Sequence, residues 1–191
     1  MKFYVFCRGL CRFFLKLFYF TDYQDEENIP LKGSFIFCSN HVSNLDPVIL
    51  GTTKKRIFYY LAKEELFHLP LLGWILKKLP LIPVKRGSGD LGAVKKAIEV
   101  LQQGKALVMF PEGTRSKDGT LKEGKNGVAL IAKKADCHIV PCAVSRKHRL
   151  FRKSVVRYGM PFSPEEYLKQ RDLTGLTKKI MQEIQNLLEE L

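Results

Sequence analysis

Short, almost fully apolar runs recur along the chain, and the segments between them have the period of helices. The runs are S-F-I-F-C (34–38), I-F-Y-Y-L (57–61), L-I-P-V (81–84), A-L-V-M-F (106–110), H-I-V-P-C-A-V (138–144) and V-V-R-Y (155–158). Runs this short read as strands, with 34–38 and 106–110 as buried ones. Residues 90–103 carry an amphipathic helical pattern that stops at Gly104, and residues 128–134 and 174–191 read as further helices. Another helix begins at Pro47, with Asp46 placed to be its N-cap. Strands alternating with helices predict an α/β fold: one layered domain with a mixed, partly parallel sheet flanked by helices. A chain of 191 residues suits one such domain with a real core. The expected division is a helix over 1–20, a polar linker over 21–30 and the main domain over 31–191.

The first twenty residues, M-K-F-Y-V-F-C-R-G-L-C-R-F-F-L-K-L-F-Y-F, hold the most unusual composition in the chain. On a helix, Lys2, Arg8, Arg12 and Lys16 fall within an arc of about 120°, and aromatic and aliphatic residues fill the rest. This is the pattern of an amphipathic helix lying in a membrane interface. A spanning helix would bring Arg8 and Arg12 near the bilayer centre, at roughly 2.5 to 3.5 kcal/mol each. Charges also interrupt any signal-peptide core, and no small-residue cleavage site follows. Residues 66–79 are very apolar but contain Pro70 and Gly73, and are too short to span. They read either as the lining of an apolar channel or as an ordinary buried helix.

The net charge is +13, from 32 basic and 19 acidic residues. Such an excess speaks of partners: nucleic acid, an anionic membrane, phosphorylated substrates or an acidic protein. No nucleic-acid-binding motif is present and the aromatics lie in apolar runs, so no nucleic-acid partner is expected. The five cysteines, Cys7, Cys11, Cys38, Cys137 and Cys142, form no disulfide framework or zinc-ligand spacing. Cys38 lies close to His41, but its place inside a strand run makes it a small core residue rather than a nucleophile.

Three strand-end segments can carry chemistry. N-H-V-S-N-L-D-P, residues 40–47, holds His41 and Asp46. An imidazole can take a proton from a hydroxyl when a carboxylate fixes its tautomer. The alternative is a surface histidine beside a helix-capping aspartate. F-P-E-G-T-R-S, residues 110–116, supplies Glu112, Gly113, Thr114 and Arg115, whose guanidinium is a planar fork suited to phosphate. The alternative is a strand-terminal turn with a surface ion pair at Glu112. P-V-K-R-G, residues 83–87, adds Lys85 and Arg86. A metal site built on His41, Asp46, His138 and His148 lacks ligand spacing, so no metal is expected.

Together these segments resemble the motifs of the glycerolipid acyltransferases. N-H-V-S-N-L-D-P matches the family's H-x-x-x-x-D motif, and F-P-E-G-T-R-S matches its E-G-T-R-S phosphate motif. I-P-V-K-R-G resembles the second motif, and H-I-V-P-C-A-V, around Pro141, the fourth. Order and spacing agree over roughly residues 34–144. The E-G-T-R-S form points to enzymes acting on 1-acyl-sn-glycerol 3-phosphate. The resemblance implies His41 as general base and Asp46 as its orienting partner. It implies Lys85, Arg86, Glu112, Gly113, Thr114 and Arg115 as the residues holding phosphate and glycerol. It further implies lysophosphatidic acid as acceptor and an acyl thioester of acyl carrier protein or coenzyme A as co-substrate, with no cofactor. The enzyme would sit on the cytoplasmic face of the cell membrane, held peripherally or monotopically on an anionic surface.

Overall fold

A computed structural model describes residues 2–53, 56–85 and 89–191. Seven strands form one sheet in the order β1-β7-β6-β2-β5-β3-β4. They are β1 (Asp22–Gln24), β2 (Phe35–Ser39), β3 (Phe58–Lys63), β4 (Leu81–Val84), β5 (Ala106–Met109), β6 (His138–Val144) and β7 (Val155–Tyr158). All neighbouring pairs are parallel except β6 with β7, which is antiparallel. The helices are α1 (Lys2–Tyr19), α2 (Asp46–Gly51), α3 (Leu72–Leu76), α4 (Leu91–Gln102), α5 (Gly127–Ala135), α6 (Glu165–Lys169) and α7 (Leu173–Glu189). The mixed α/β architecture is the one the alternating pattern predicts.

Alternation along the central strands divides the core in two. Ile36, Cys38, Leu107, Ile139 and Ala143 point to one face, where α4, α5 and α7 cover them. Phe35, Phe37, Val108, Val140 and Cys142 point to the other, where Leu15 of α1 and Ile49 and Leu50 of α2 close the core. Cys38 is fully buried, and burial first, then Cys137, pushes its thiol well above the ordinary range. It is a core residue. Because the central strands run parallel, the loops after β2, β5 and β6 emerge along one edge of the sheet, where α/β folds place their sites.

The structure departs from the expectations in four places. Residues 21–30 are not a linker: β1 pairs with β7 at the sheet edge, and a 3₁₀ turn at Glu26–Asn28 follows. Asp46 does not cap α2; Leu45 holds the N-cap position, and the Asp46 carboxylate turns back into the preceding loop. Residues 66–79 do not form one buried helix. A 3₁₀ turn at Glu64–His68 and the five-residue α3 leave Leu69, Leu71, Leu72 and Trp74 exposed.

The fourth departure concerns α1. Arg8 and Arg12 of its charged stripe face the protein, while Lys2 and Lys16 stay exposed. Arg12 donates to Thr52 O at 2.8 Å and to Glu26, and its guanidinium lies 4.0 Å over the Tyr23 ring. Arg8 donates to Arg56 O at 3.3 Å, and Tyr4 Oη to Gly51 O at 3.2 Å. Phe6, Leu10, Phe13, Phe14 and Leu17 are therefore turned outward and exposed. A helix that uses polar side chains to dock and shows its apolar face is the reverse of a surface helix in a globular protein. Among the described residues no helix is long and apolar enough to cross a membrane.

Candidate active site

The loop between β2 and α2 is held from several sides. Asn40, buried, pairs with β6 as another strand residue would: its Nδ2 donates to Val144 O at 3.0 Å and its Oδ1 accepts from Val144 N at 2.9 Å. His41 N donates to Glu112 Oε1 at 2.7 Å, and His41 O accepts from Ser116 N at 2.7 Å. The second Glu112 oxygen accepts from Lys122 N at 3.1 Å. Burial pushes the Glu112 carboxyl up, against the lowering effect of the Lys122 and His41 N–H groups. Glu112, expected among the substrate-binding residues, is a buried clamp that locks the E-G-T-R-S turn to the backbone of His41.

The His41 and Asp46 side chains meet. Nδ1 of His41 lies 2.8 Å from Asp46 Oδ2, and the same oxygen accepts from Val42 N and Ser43 N, each at 2.7 Å. The imidazole stacks on Phe110 with ring centroids 4.0 Å apart and an 18° tilt. An ionised carboxylate only accepts, so the neutral form of His41 carries its proton on Nδ1 and leaves Nε2 as a bare acceptor. Nε2 has no hydrogen-bond partner among the described residues.

Asp46 has a second side-chain partner that the motifs do not contain. His148 Nε2 lies 2.8 Å from Asp46 Oδ1, and His148 Nδ1 lies 2.8 Å from Ser154 Oγ. Both His148 and Asp46 side chains are essentially inaccessible to solvent. Burial alone raises the Asp46 carboxyl, but bonds from His148, His41 and the Ser43 and Val42 N–H groups outweigh it and hold it below the usual carboxylate range. The result is a carboxylate that stays ionised at neutral pH behind His41. Sequence reasoning met His148 only as a would-be metal ligand, and no local pattern marks it, since its bond to Asp46 spans 102 positions. His138, the other histidine of that set, opens β6 opposite Phe35, at the far edge of the sheet.

The remaining motif residues are spread along the same edge. Gly113 has φ +71°, a conformation that favours glycine, and a Cβ there would crowd Lys125 Cδ at 3.2 Å. Thr114 and Arg115 are exposed in this turn, and the Arg115 guanidinium has no partner among the described residues. Lys85 follows β4, three strands from β2 or roughly 14 Å of sheet width, and its Nζ is 3.9 Å from Glu64. Arg86 lies outside the described residues. Two openings flank the His41 loop. One, about 260 Å³, is lined by Ser43, Lys117, Arg146, Lys147 and Arg149. The other, an apolar groove of about 390 Å³, is lined by Phe14, Phe18, Leu45, Val48 and Leu150.

Comparison with known proteins agrees with this geometry. Residues 21–145 match the family model described as Acyltransferase. The crystal structure of the 1-acyl-sn-glycerophosphate acyltransferase PlsC from Thermotoga maritima superposes with a TM-score of 0.73 at 27% identity, covering 100% of this chain and 78% of that one. The 1-acyl-sn-glycerol-3-phosphate acyltransferase of Bacillus subtilis is 30% identical over 96% of both chains. A chloroplastic protein of the same description from Brassica napus is 35% identical over 65% of this chain but only 37% of its own length. This chain likewise spans 35% and 53% of the relatives from Arabidopsis thaliana and Borreliella burgdorferi. With a family match over most of its length and a relative matched end to end, the chain belongs to the acyltransferase family.

Proposed function

We propose that the chain transfers an acyl group from a thioester of acyl carrier protein or coenzyme A to the sn-2 hydroxyl of 1-acyl-sn-glycerol 3-phosphate, making phosphatidic acid. The observation that carries this reading is the His41–Asp46 pair, with Nδ1 committed to the carboxylate at 2.8 Å and Nε2 left open. Nε2 takes the proton of the acceptor hydroxyl as its oxygen attacks the thioester carbonyl. The imidazolium so formed faces Asp46, which His148 and two backbone N–H groups keep ionised. The C–S bond then breaks, and the leaving thiolate takes the proton from Nε2, giving an ester and a free thiol. A thiolate leaves readily, so the chain's task is to hold the hydroxyl, base and carbonyl in one geometry.

The charge distribution supports an anionic acceptor. Arg115 stands in the turn clamped to His41, with Lys85 further along the edge, and these would bind phosphate and glycerol with Arg86, Gly113 and Thr114. The basic opening with Lys117, Arg146, Lys147 and Arg149 adds positive potential on the other side of the loop. The apolar groove beside Leu45 suits an acyl chain. The outward apolar face of α1 supports residence in a membrane interface without spanning it, and the expected surface is the anionic cytoplasmic face of the cell membrane.

Purified protein in detergent, offered both donors against lysophosphatidic acid, monoacylglycerol, lysophosphatidylcholine and glycerol 3-phosphate, tests the assignment. Phosphatidic acid is the expected product. Efficient acylation of another acceptor with none on lysophosphatidic acid would overturn it.

A further inference from the structure

Among the described residues, six non-glycine residues have positive φ: Phe20, Asp25, Leu71, Asp136, Phe151 and Arg171. Aspartates visit this region readily, but a bulky apolar residue there is an outlier. Phe20, Leu71 and Phe151 are also among the exposed hydrophobics, at 51%, 75% and 63%. Leu71, with φ 58° and ψ −56°, is the centre of a strained γ-turn in which Leu72 N donates to Pro70 O. At Leu71, the most exposed of the three, strain that displays a large apolar side chain to water brings the folded protein little packing in return. Such outliers point to function.

These residues flank α1 at both ends. Phe3 of α1 packs edge-on against Trp74 of α3 with centroids 6.3 Å apart, and Phe18 packs against Phe151 at 6.0 Å. The helix between them is about 27 Å long at 1.5 Å per residue. Cations border the two outer patches: Lys77 and Lys78 follow α3, and Arg149 and Arg152 bracket Leu150 and Phe151. None of the four has an ion pair among the described residues. Lys78 Nζ sits 3.4 Å over the Trp74 ring, an arrangement that suits a lysine whose stem lies along apolar surface while its head stays at water level.

We propose that the α3 tip (Leu71, Leu72, Trp74) and the loop tip (Leu150, Phe151) enter the same bilayer interface as α1, so that the protein docks on an anionic lipid surface through three contacts rather than one helix. This rests on the interfacial reading of α1 given above. Lipid fits better than a second copy of the chain, because pairing two such faces would set one basic rim against another. Three contacts also do what one helix cannot. A lone helix leaves the body free to roll about its axis, whereas supports at both ends fix the His41 loop at a constant height over the headgroups.

Trp74 is the single tryptophan of the chain, so the full-length protein reports on the α3 tip without labels. With vesicles of phosphatidylglycerol and phosphatidylcholine, its emission is expected to shift to the blue and to be quenched by lipids brominated high on the acyl chain. Leu71→Gly suits the positive φ and removes the side chain. It should keep or raise the melting temperature while vesicle partitioning falls about tenfold, the effect of losing one inserted leucine. Phe151→Asn should behave in the same way. Protein that sediments with vesicles while Trp74 stays unshifted and unquenched overturns the proposal and leaves α1 docking intact. A Leu10→Trp, Trp74→Phe protein that shows no vesicle response overturns the α1 reading itself. A blue shift that depends on protein concentration without lipid identifies a second copy as occupant and overturns the proposal.

Discussion

Removing His148 tests whether Asp46 needs a second imidazole. In His148→Ala the buried oxygen Oδ1 loses its 2.8 Å donor and keeps its charge. A hydrogen bond to a charged group contributes about 1.5 to 3 kcal/mol. In a domain of this size 1 kcal/mol shifts the melting temperature by roughly 2 to 4 °C, so a loss of about 3 to 12 °C is expected. If the whole interaction also serves to hold Asp46 against His41 in the transition state, turnover falls by up to roughly 150-fold, since each 1.36 kcal/mol is tenfold. Two further variants separate positioning from bulk. The amide introduced by His148→Gln reaches about as far as imidazole Nε2 and can still donate to Asp46. The shorter amide of His148→Asn reaches only about as far as Nδ1, toward Ser154. The assay is steady-state thiol release, with kcat and KM determined separately for donor and acceptor, beside thermal unfolding. The positioning role requires kcat to follow wild type > Gln > Asn ≈ Ala with both KM values little changed. A folded Ala variant with wild-type kcat, or one that changes KM alone, would refute the role.

Other consequences follow from the same geometry. Arg12→Gln breaks the bonds that seat α1 on Thr52 and Glu26, worth about 1 to 3 kcal/mol, so proteolysis near residue 20 should accelerate and the melting temperature drop, with little change in the salt dependence of vesicle binding. Arg115→Lys keeps the charge and loses the planar fork; activity on lysophosphatidic acid should fall while that on monoacylglycerol holds, and an equal fall on both would make Arg115 structural. Asp46 has a folded carboxyl value below its ordinary one, so its contribution to stability is full above about pH 3.9 and is lost as pH falls through the lower folded value. Asp46→Asn should remove that part of the acid dependence of the melting temperature; an unchanged profile would contradict it.

What the sequence shows and hides follows from the range of the interactions. The central strands were legible because β2, β5 and β6 are buried on both faces and carry no polar interruption. The dyad was legible because His41 and Asp46 share one loop, where a single motif spans both partners. β1 was not, since D-Y-Q is a short edge strand with a polar pattern and exists only through its pairing with β7. Nor was His148, which reaches Asp46 only after β6 is laid beside β2. The helical period of α1 was visible, but not its orientation. A stripe of arginines ordinarily faces water, and only the partners waiting at Thr52, Glu26, Tyr23 and Arg56 turn it inward. The 66–79 segment misled because its apolar content promised burial, while Leu71 and Trp74 point outward.

The most direct test is the turnover of His41→Ala on lysophosphatidic acid and an acyl thioester, in protein whose circular dichroism and melting temperature show that it is folded. A general base at His41 predicts a fall of roughly 10²- to 10⁴-fold, the range that such a group contributes, with both substrates still bound. Near-normal turnover by the folded variant would contradict it.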